Sequence, residues 1–247
     1  PTSTLTFQQG EYANTGFTQW GASGLAVAWA EENTRESIFN AFKRKETFAT
    51  TGTRIALRFF AGFDMKSIDL NSEDMVKNAY AKGVTMGADL FSQANHTPQF
   101  LVWAQRDKLG APLQRVQIIK GWVETASGTP KEKIYDVACS DGLTADPVTN
   151  RCPDNGARVN INDCSISNGV GAGELKTTWE DPDFDPAVKA FYYVRVLENP
   201  TCRWSTWDAL KAGVKPRPDL HETIQERAWS SPIWYIPDSS DLEIIPL

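Results

Sequence analysis

The chain has 247 residues, 41% of them apolar, and carries 25 basic against 31 acidic side chains for a net charge of −6. That length supports one large domain or two small ones with a real core. The acidic balance, broken only by the run Lys43-Arg44-Lys45, argues against nucleic-acid binding, and no stretch approaches the ~20 uninterrupted apolar residues of a membrane-spanning helix.

The N-terminal stretch PTSTLTFQQGEYANTG is polar and has neither an initiator Met nor the apolar region of a signal peptide, as expected of a mature or trimmed chain. Next comes GLAVAWAEE at 24–32, a continuous apolar run. It predicts a strand buried on both faces, as in a parallel α/β sheet. A helix is predicted to follow over 34–48, capped by Asn33 or Thr34, with Glu36 in its first turn and the three basic residues in its last. Ile38, Phe39 and Phe42 make its apolar stripe, and Gly52 ends the segment. One strand–helix–strand unit cannot bury both faces of its own strand, so residues 1–52 are expected to be the C-terminal segment of a larger α/β domain.

From Arg54 the pattern changes. RIALRFF (54–60) alternates, with Ile55, Leu57 and Phe59 on one face. Further strands are predicted at 99–107, 115–124, 133–139, 157–162, 174–181, 190–198 and 228–236, separated by Gly, Pro, Asn and Asp clusters. Two short helices are expected, around 73–81 and 205–212. Residues 53–247 therefore predict an antiparallel β-sandwich, and the whole chain an α+β, mainly β, protein.

The four cysteines, Cys139, Cys152, Cys164 and Cys202, allow three pairings. The turn-rich loop between Cys139 and Cys152 favours that bridge, leaving Cys164 with Cys202. No short CxxC-like pair supports a zinc site. Disulfides, together with an NHT glycosylation-type sequence at Asn95, point to a periplasmic or secreted protein.

Several long segments carry a resemblance. GLAVAWAEENTRESIFNAFKRKETFATTGTRI resembles the last strand and helix of the PHP superfamily, the polymerase and histidinol phosphatase domains. YAKGVTMGADL, FLVWAQRD, QRVQIIKGWVE, DPDFDPAVKAFYYVRVLENPTCRWSTWDA and TIQERAWSSPIWY resemble, in the same order, the C-terminal part of the PHP-like domain-of-unknown-function family 3604. The resemblance implies a parent protein with an N-terminal metal-dependent hydrolase barrel and a C-terminal β-sandwich. It implies divalent metal ions in the missing barrel segment, which would be this chain's partner. The family's metal sites begin with His-x-His. This chain has only His96 and His221, neither in that motif, so no metal ligand or catalytic residue is carried over.

Other candidates come from the residues themselves. Glu31 and Glu32 end the first apolar run and Arg35 follows them; in an α/β barrel such strand ends face the site. Asp181, Asp183 and Asp185 alternate in DPDFDP, and Asp141, Asp146 and Asp154 lie in the 139–154 loop; both groups are candidate calcium ligands, though neither fits an EF-hand. Arg203, Trp204 and Trp207 place two of nine tryptophans at helical spacing beside a cation, suited to lining a groove or stacking on a sugar. Two functions follow: the non-catalytic C-terminal portion of a metal-dependent hydrolase, possessing no cofactor of its own, or a secreted Trp-rich binding or structural module.

Overall fold

The computed structural model describes residues 4–7, 10–13 and 20–237; the rest of the polar N-terminal stretch lies outside them. The chain is mainly β. In order it forms β1 (Thr4–Phe7), β2 (Gly10–Ala13), β3 (Leu25–Ala28), α1 (Arg35–Lys43), β4 (Thr47–Thr50) and β5 (Ala56–Gly62). A 3-10 turn at Met65–Ser67 leads to α2 (Met75–Lys82), β6 (Gly83–Thr85), β7 (Asp89–Phe91), β8 (Gln99–Gln105), β9 (Leu113–Val123) and β10 (Pro130–Cys139). Then come β11 (Val159–Asn160), β12 (Ser165–Ile166), β13 (Glu174–Glu180), β14 (Ala190–Glu198), β15 (Thr201–Cys202) and α3 (Trp204–Lys211). The last strands are β16 (Thr223–Ile224), β17 (Arg227–Ser230) and β18 (Ile233–Ile236).

Two antiparallel sheets hold most of these strands. The larger runs β10-β9-β14-β17-β4-β3, with β18 also on β14 and β7 joined parallel to β18. The smaller runs β13-β8-β5-β6. One core takes side chains from both: Leu57, Phe59, Phe100 and Val102 from the smaller sheet, Val116, Ile118, Tyr192 and Val194 from the larger. The smaller sheet is buried on its other face too, where Phe60 and Leu101 meet Met65, Met75 and Ala79 from the 3-10 turn and α2. This two-sided burial explains why RFFAG and FLVWA read as nearly continuous apolar runs. Successive residues serve opposite cores.

The N-terminal unit differs from its sequence expectation. The strand β3 is not buried on both faces, since its residues run from exposed to half-buried. It pairs antiparallel with β4, Leu25 opposite Thr50 and Ala28 opposite Thr47. Among the described residues its other edge has no strand partner. The helix α1 ends at Lys43 rather than running to residue 48, and β4 follows at once. The cause is a Schellman turn. Lys45 adopts a left-handed conformation at φ 59°, while Lys45 N–H bonds Phe42 O and Glu46 N–H bonds Ala41 O. Within the helix, Ala41 is buried, but Phe39 and Phe42 are 62% and 52% exposed. The predicted stripe therefore does not face this chain's core.

No seam interrupts the hydrogen bonding near residue 52: β4 is paired with β17, Ala49 opposite Trp229. The predicted strand at 228–236 is two strands, β17 and β18, broken at Ser231-Pro232, because proline cannot donate to a central ladder. Of the predicted strand at 157–162 only Val159–Asn160 forms. The helices at 75–82 and 204–211 lie within a residue or two of expectation.

Both favoured disulfides form. Cys139 is bonded to Cys152 and Cys164 to Cys202, with Cα separations of 5.7 and 5.6 Å.

Candidate functional site

The Schellman turn has a consequence for chemistry. It delivers Glu46 from the helix end into a cleft of about 680 Å³ lined by Trp29, Glu31, Arg44, Arg58 and Tyr80 among others. The turn is locked from outside by Gly87, whose φ is +90°; a Cβ there would lie 2.2 Å from the Lys45 carbonyl oxygen.

Glu46 is only 3% exposed, and both its oxygens are engaged. Oε1 accepts from the Tyr80 hydroxyl in a short bond and from Thr85 Oγ1 at 3.2 Å. Oε2 lies 3.4 Å from Arg44, and Arg58 is 3.7 Å from Oε1. Arg58 in turn donates to the Tyr80 oxygen at 2.6 Å and stacks its guanidinium 3.6 Å over the Trp29 ring. The Arg58 Nε is buried without an acceptor among the described residues. Burial, then the bond to Glu46, raises the Tyr80 hydroxyl pKa. So Tyr80 stays a neutral donor, and the carboxylate is held rigid between two guanidinium groups. The cleft presents equal numbers of acidic and basic side chains beside an indole. That suits a wall that positions a polar or charged group, since both Glu46 oxygens are already engaged within the protein.

Of the predicted site residues, Glu31 borders this cleft, and Glu31 with Glu32 borders a second hollow along α1. Arg35 is exposed at the first position of α1. Glu46, Arg58 and Tyr80 were not legible as a site. The residues come from three elements separated in sequence, and Glu46 had been placed inside a helix.

The acidic candidates are dispersed. Asp141 accepts from Gly171 N, Ser140 and Asn155; Asp146 caps its own turn at Val148 and Thr149; Asp154 pairs with Arg158. Asp181 is buried against Lys120 at 2.6 Å, Asp183 is bound by Lys133 and Tyr135, and Asp185 accepts from Ala187 N. Among the described residues no group of three or more His, Cys, Asp or Glu side chains is placed to hold a metal ion. His96 is exposed and bonded to Ala94 O, and His221 is exposed at a groove far along the sheet.

Arg203 and Trp204 are held by one backbone carbonyl. Both donate to the carbonyl of Trp20, from Arg203 NH2 and from Trp204 Nε1 at 3.0 Å, and Arg203 is 8% exposed. Trp207 is 42% exposed.

The family description "Protein of unknown function (DUF3604)" matches residues 2–237. The chain belongs to this family. No curated protein and no solved structure matches it. Two disulfides are present, and no helix among the described residues is long and apolar enough to cross a membrane.

Proposed function

We propose that this DUF3604 chain is the non-catalytic C-terminal portion of a PHP-like, metal-dependent hydrolase. Its two sheets form a β-sandwich that buttresses the barrel, and residues 1–52 are the barrel's last segment, tied to the sandwich through β4. The metal ions reside in the barrel. The disulfides fit a periplasmic or secreted setting.

The observation that carries this reading is an unsatisfied surface. Phe39 and Phe42, one helical turn apart on α1, lie open, and among the described residues the outer edge of β3 has no strand partner. A folded monomer gains nothing from either, since each burying of a Phe side chain is worth about 2 kcal/mol and an open strand edge invites pairing. A barrel wall packed on α1, with a strand added to β3, satisfies both. It also closes the cleft in which Glu46, Arg58 and Tyr80 are already ordered, so these residues wall the hydrolase site.

The test is to isolate the polypeptide that carries these residues from its source and determine its mass, its peptide map and its metal content. The reading expects a His-x-His-bearing segment on the same chain or tightly bound to it, and cross-links from α1 to that segment. A lone 247-residue polypeptide, monomeric and with Phe39 and Phe42 freely labelled in solution, overturns it.

A further inference from the structure

A second groove, at the opposite end of the large sheet, has the wrong charge for this protein. It encloses about 610 Å³, and its charged lining is Arg115, Arg158 and Arg227 against Asp154 alone, with His221 at its rim. The whole chain carries −6. Asp136 offsets Arg115 and Asp154 offsets Arg158, so the three guanidinium groups leave the groove with a positive excess at Arg227.

Arg115 is anchored 3.5 Å from Asp136, a carboxylate with no solvent exposure of its side chain. Asp136 is fixed by the amide of Gln117 at 2.6 Å and the backbone N–H of Cys152 at 2.7 Å. The Arg115 Nε is buried with no acceptor among the described residues. Arg227 donates from Nε to Gln225 O at 3.0 Å, which fixes its guanidinium plane. Arg158 is held by Asp154 at 2.7 Å in an exposed pair, side chains 68% and 61% exposed, and such a pair is cheap to open.

Both disulfides converge on this groove. Cys139 lies opposite Arg115 in the β9–β10 ladder, and its partner Cys152 directly precedes the lining residues Pro153 and Asp154. Cys202 lies opposite Thr223, another lining residue, and its partner Cys164 closes the β11–β12 hairpin that starts just after Arg158. Arg115 and Arg227 stand on β9 and β17, while Arg158 and the wall at 153–158 belong to an irregular loop that on its own would be mobile. Cross-linking such loops is how a chain builds a preorganised site from them.

We infer that this groove binds a small ligand bearing an oxyanion (phosphate, sulfate or carboxylate) through Arg115, Arg158 and Arg227. Planar guanidinium forks match such groups bidentately, which lysines do not. The inference stands apart from the hydrolase reading and does not depend on a barrel.

Isothermal titration of the 247-residue chain at low ionic strength with sodium phosphate, sodium sulfate and sodium glucuronate, against a sodium chloride blank, tests it. Saturable one-site binding of at least one anion is expected, and the preferred anion names the group. Arg158→Ala and Arg227→Ala should each weaken it about tenfold or more, and Arg227→Lys should recover only part. Arg158 is exposed in a loop, so Arg158→Ala decides the matter even if Arg227→Ala folds poorly. Absence of saturable binding for all three anions at millimolar concentration, or binding unchanged in Arg158→Ala, overturns the inference.

Discussion

Lys120 Nζ lies 2.6 Å from the carboxylate of Asp181, with side-chain exposures of 6% and 0%. The pair is embedded in more bonds: Tyr192 donates to Asp181 at 2.8 Å and Lys120 donates to Asp183 O at 2.7 Å. It joins β9 to the loop after β13, and so stitches the larger sheet to the smaller. Removing one partner leaves a buried, uncompensated charge. Asp181→Asn should therefore cost about 3 kcal/mol or more in urea unfolding. The double change Lys120→Met with Asp181→Leu should cost less than Asp181→Asn alone.

Glu198 makes a pH dependence. It is fully buried at the end of β14, and its carboxyl pKa is raised from 4.5 to about 7. Burial is the main cause, the nearby charges of Glu226 and Asp107 add to it, and Thr53 with the Ala111 backbone offset only part. In the unfolded chain this group titrates near 4.5, so between the two values the folded state holds the extra proton. Stability from this group is therefore greatest at low pH and falls as pH rises from about 4.5 to about 7. Glu198→Gln should remove that slope and leave the variant more stable than the parent at pH 8, by up to about 3 kcal/mol. Urea midpoints at pH 5 and pH 8 measure it.

The Schellman turn should be intolerant of a side chain at its neighbour. Gly87→Ala introduces a Cβ into the Lys45 carbonyl at a left-handed φ, and is expected to cost well over about 1 kcal/mol. Tyr80→Phe should cost about 2 kcal/mol, since it strips a donor from a buried carboxylate. Thermal unfolding of the two variants measures both costs.

Reduction should act unequally on the two bridges. The chain-entropy argument gives about 3 kcal/mol for the Cys139–Cys152 loop, with a sequence separation of 13, and about 4 kcal/mol for Cys164–Cys202, with a separation of 38. Cys164→Ser with Cys202→Ser should lower the melting temperature more than the other pair of changes. Both pairs should weaken anion binding in the Arg115 groove.

On the solution behaviour of the isolated chain, Phe39→Glu combined with Phe42→Glu should leave the melting temperature nearly unchanged, because neither ring packs on this core. The same changes should abolish association with a barrel segment, as read by gel filtration of the mixed or intact parent.

Much of the β architecture was legible because its signals are local. Ile55, Leu57 and Phe59 of RIALRFF alternate over one core, AFYYVRVLE forms β14 over its full predicted length, and the turn-rich loop after Cys139 marks its own bridge. The first fifty residues misled for a physical reason. A helix C-terminus usually announces itself with glycine, and here Lys45 takes the left-handed position instead, so TFAT looked like a continuation of the helix. An apolar run such as GLAVAWA is likewise ambiguous between a strand buried in a sheet and a strand at its edge. The Glu46 cluster and the arginine groove were invisible because pairing across the sheet, not spacing along the chain, brings their members together.

The pairing of β4 with β17 joins Phe48 to Ser230. On a ribosome β4 is made long before β17, the strand that covers its inner edge. Until β17 follows, β4 has an open edge, and that interval is when such a chain is most exposed to wrong partners. A nascent chain stopped short of Arg227 should thus be far more prone to aggregate than one stopped after Ile236. Pairing of the inner edge of β4 is thus completed only once β17 has been made.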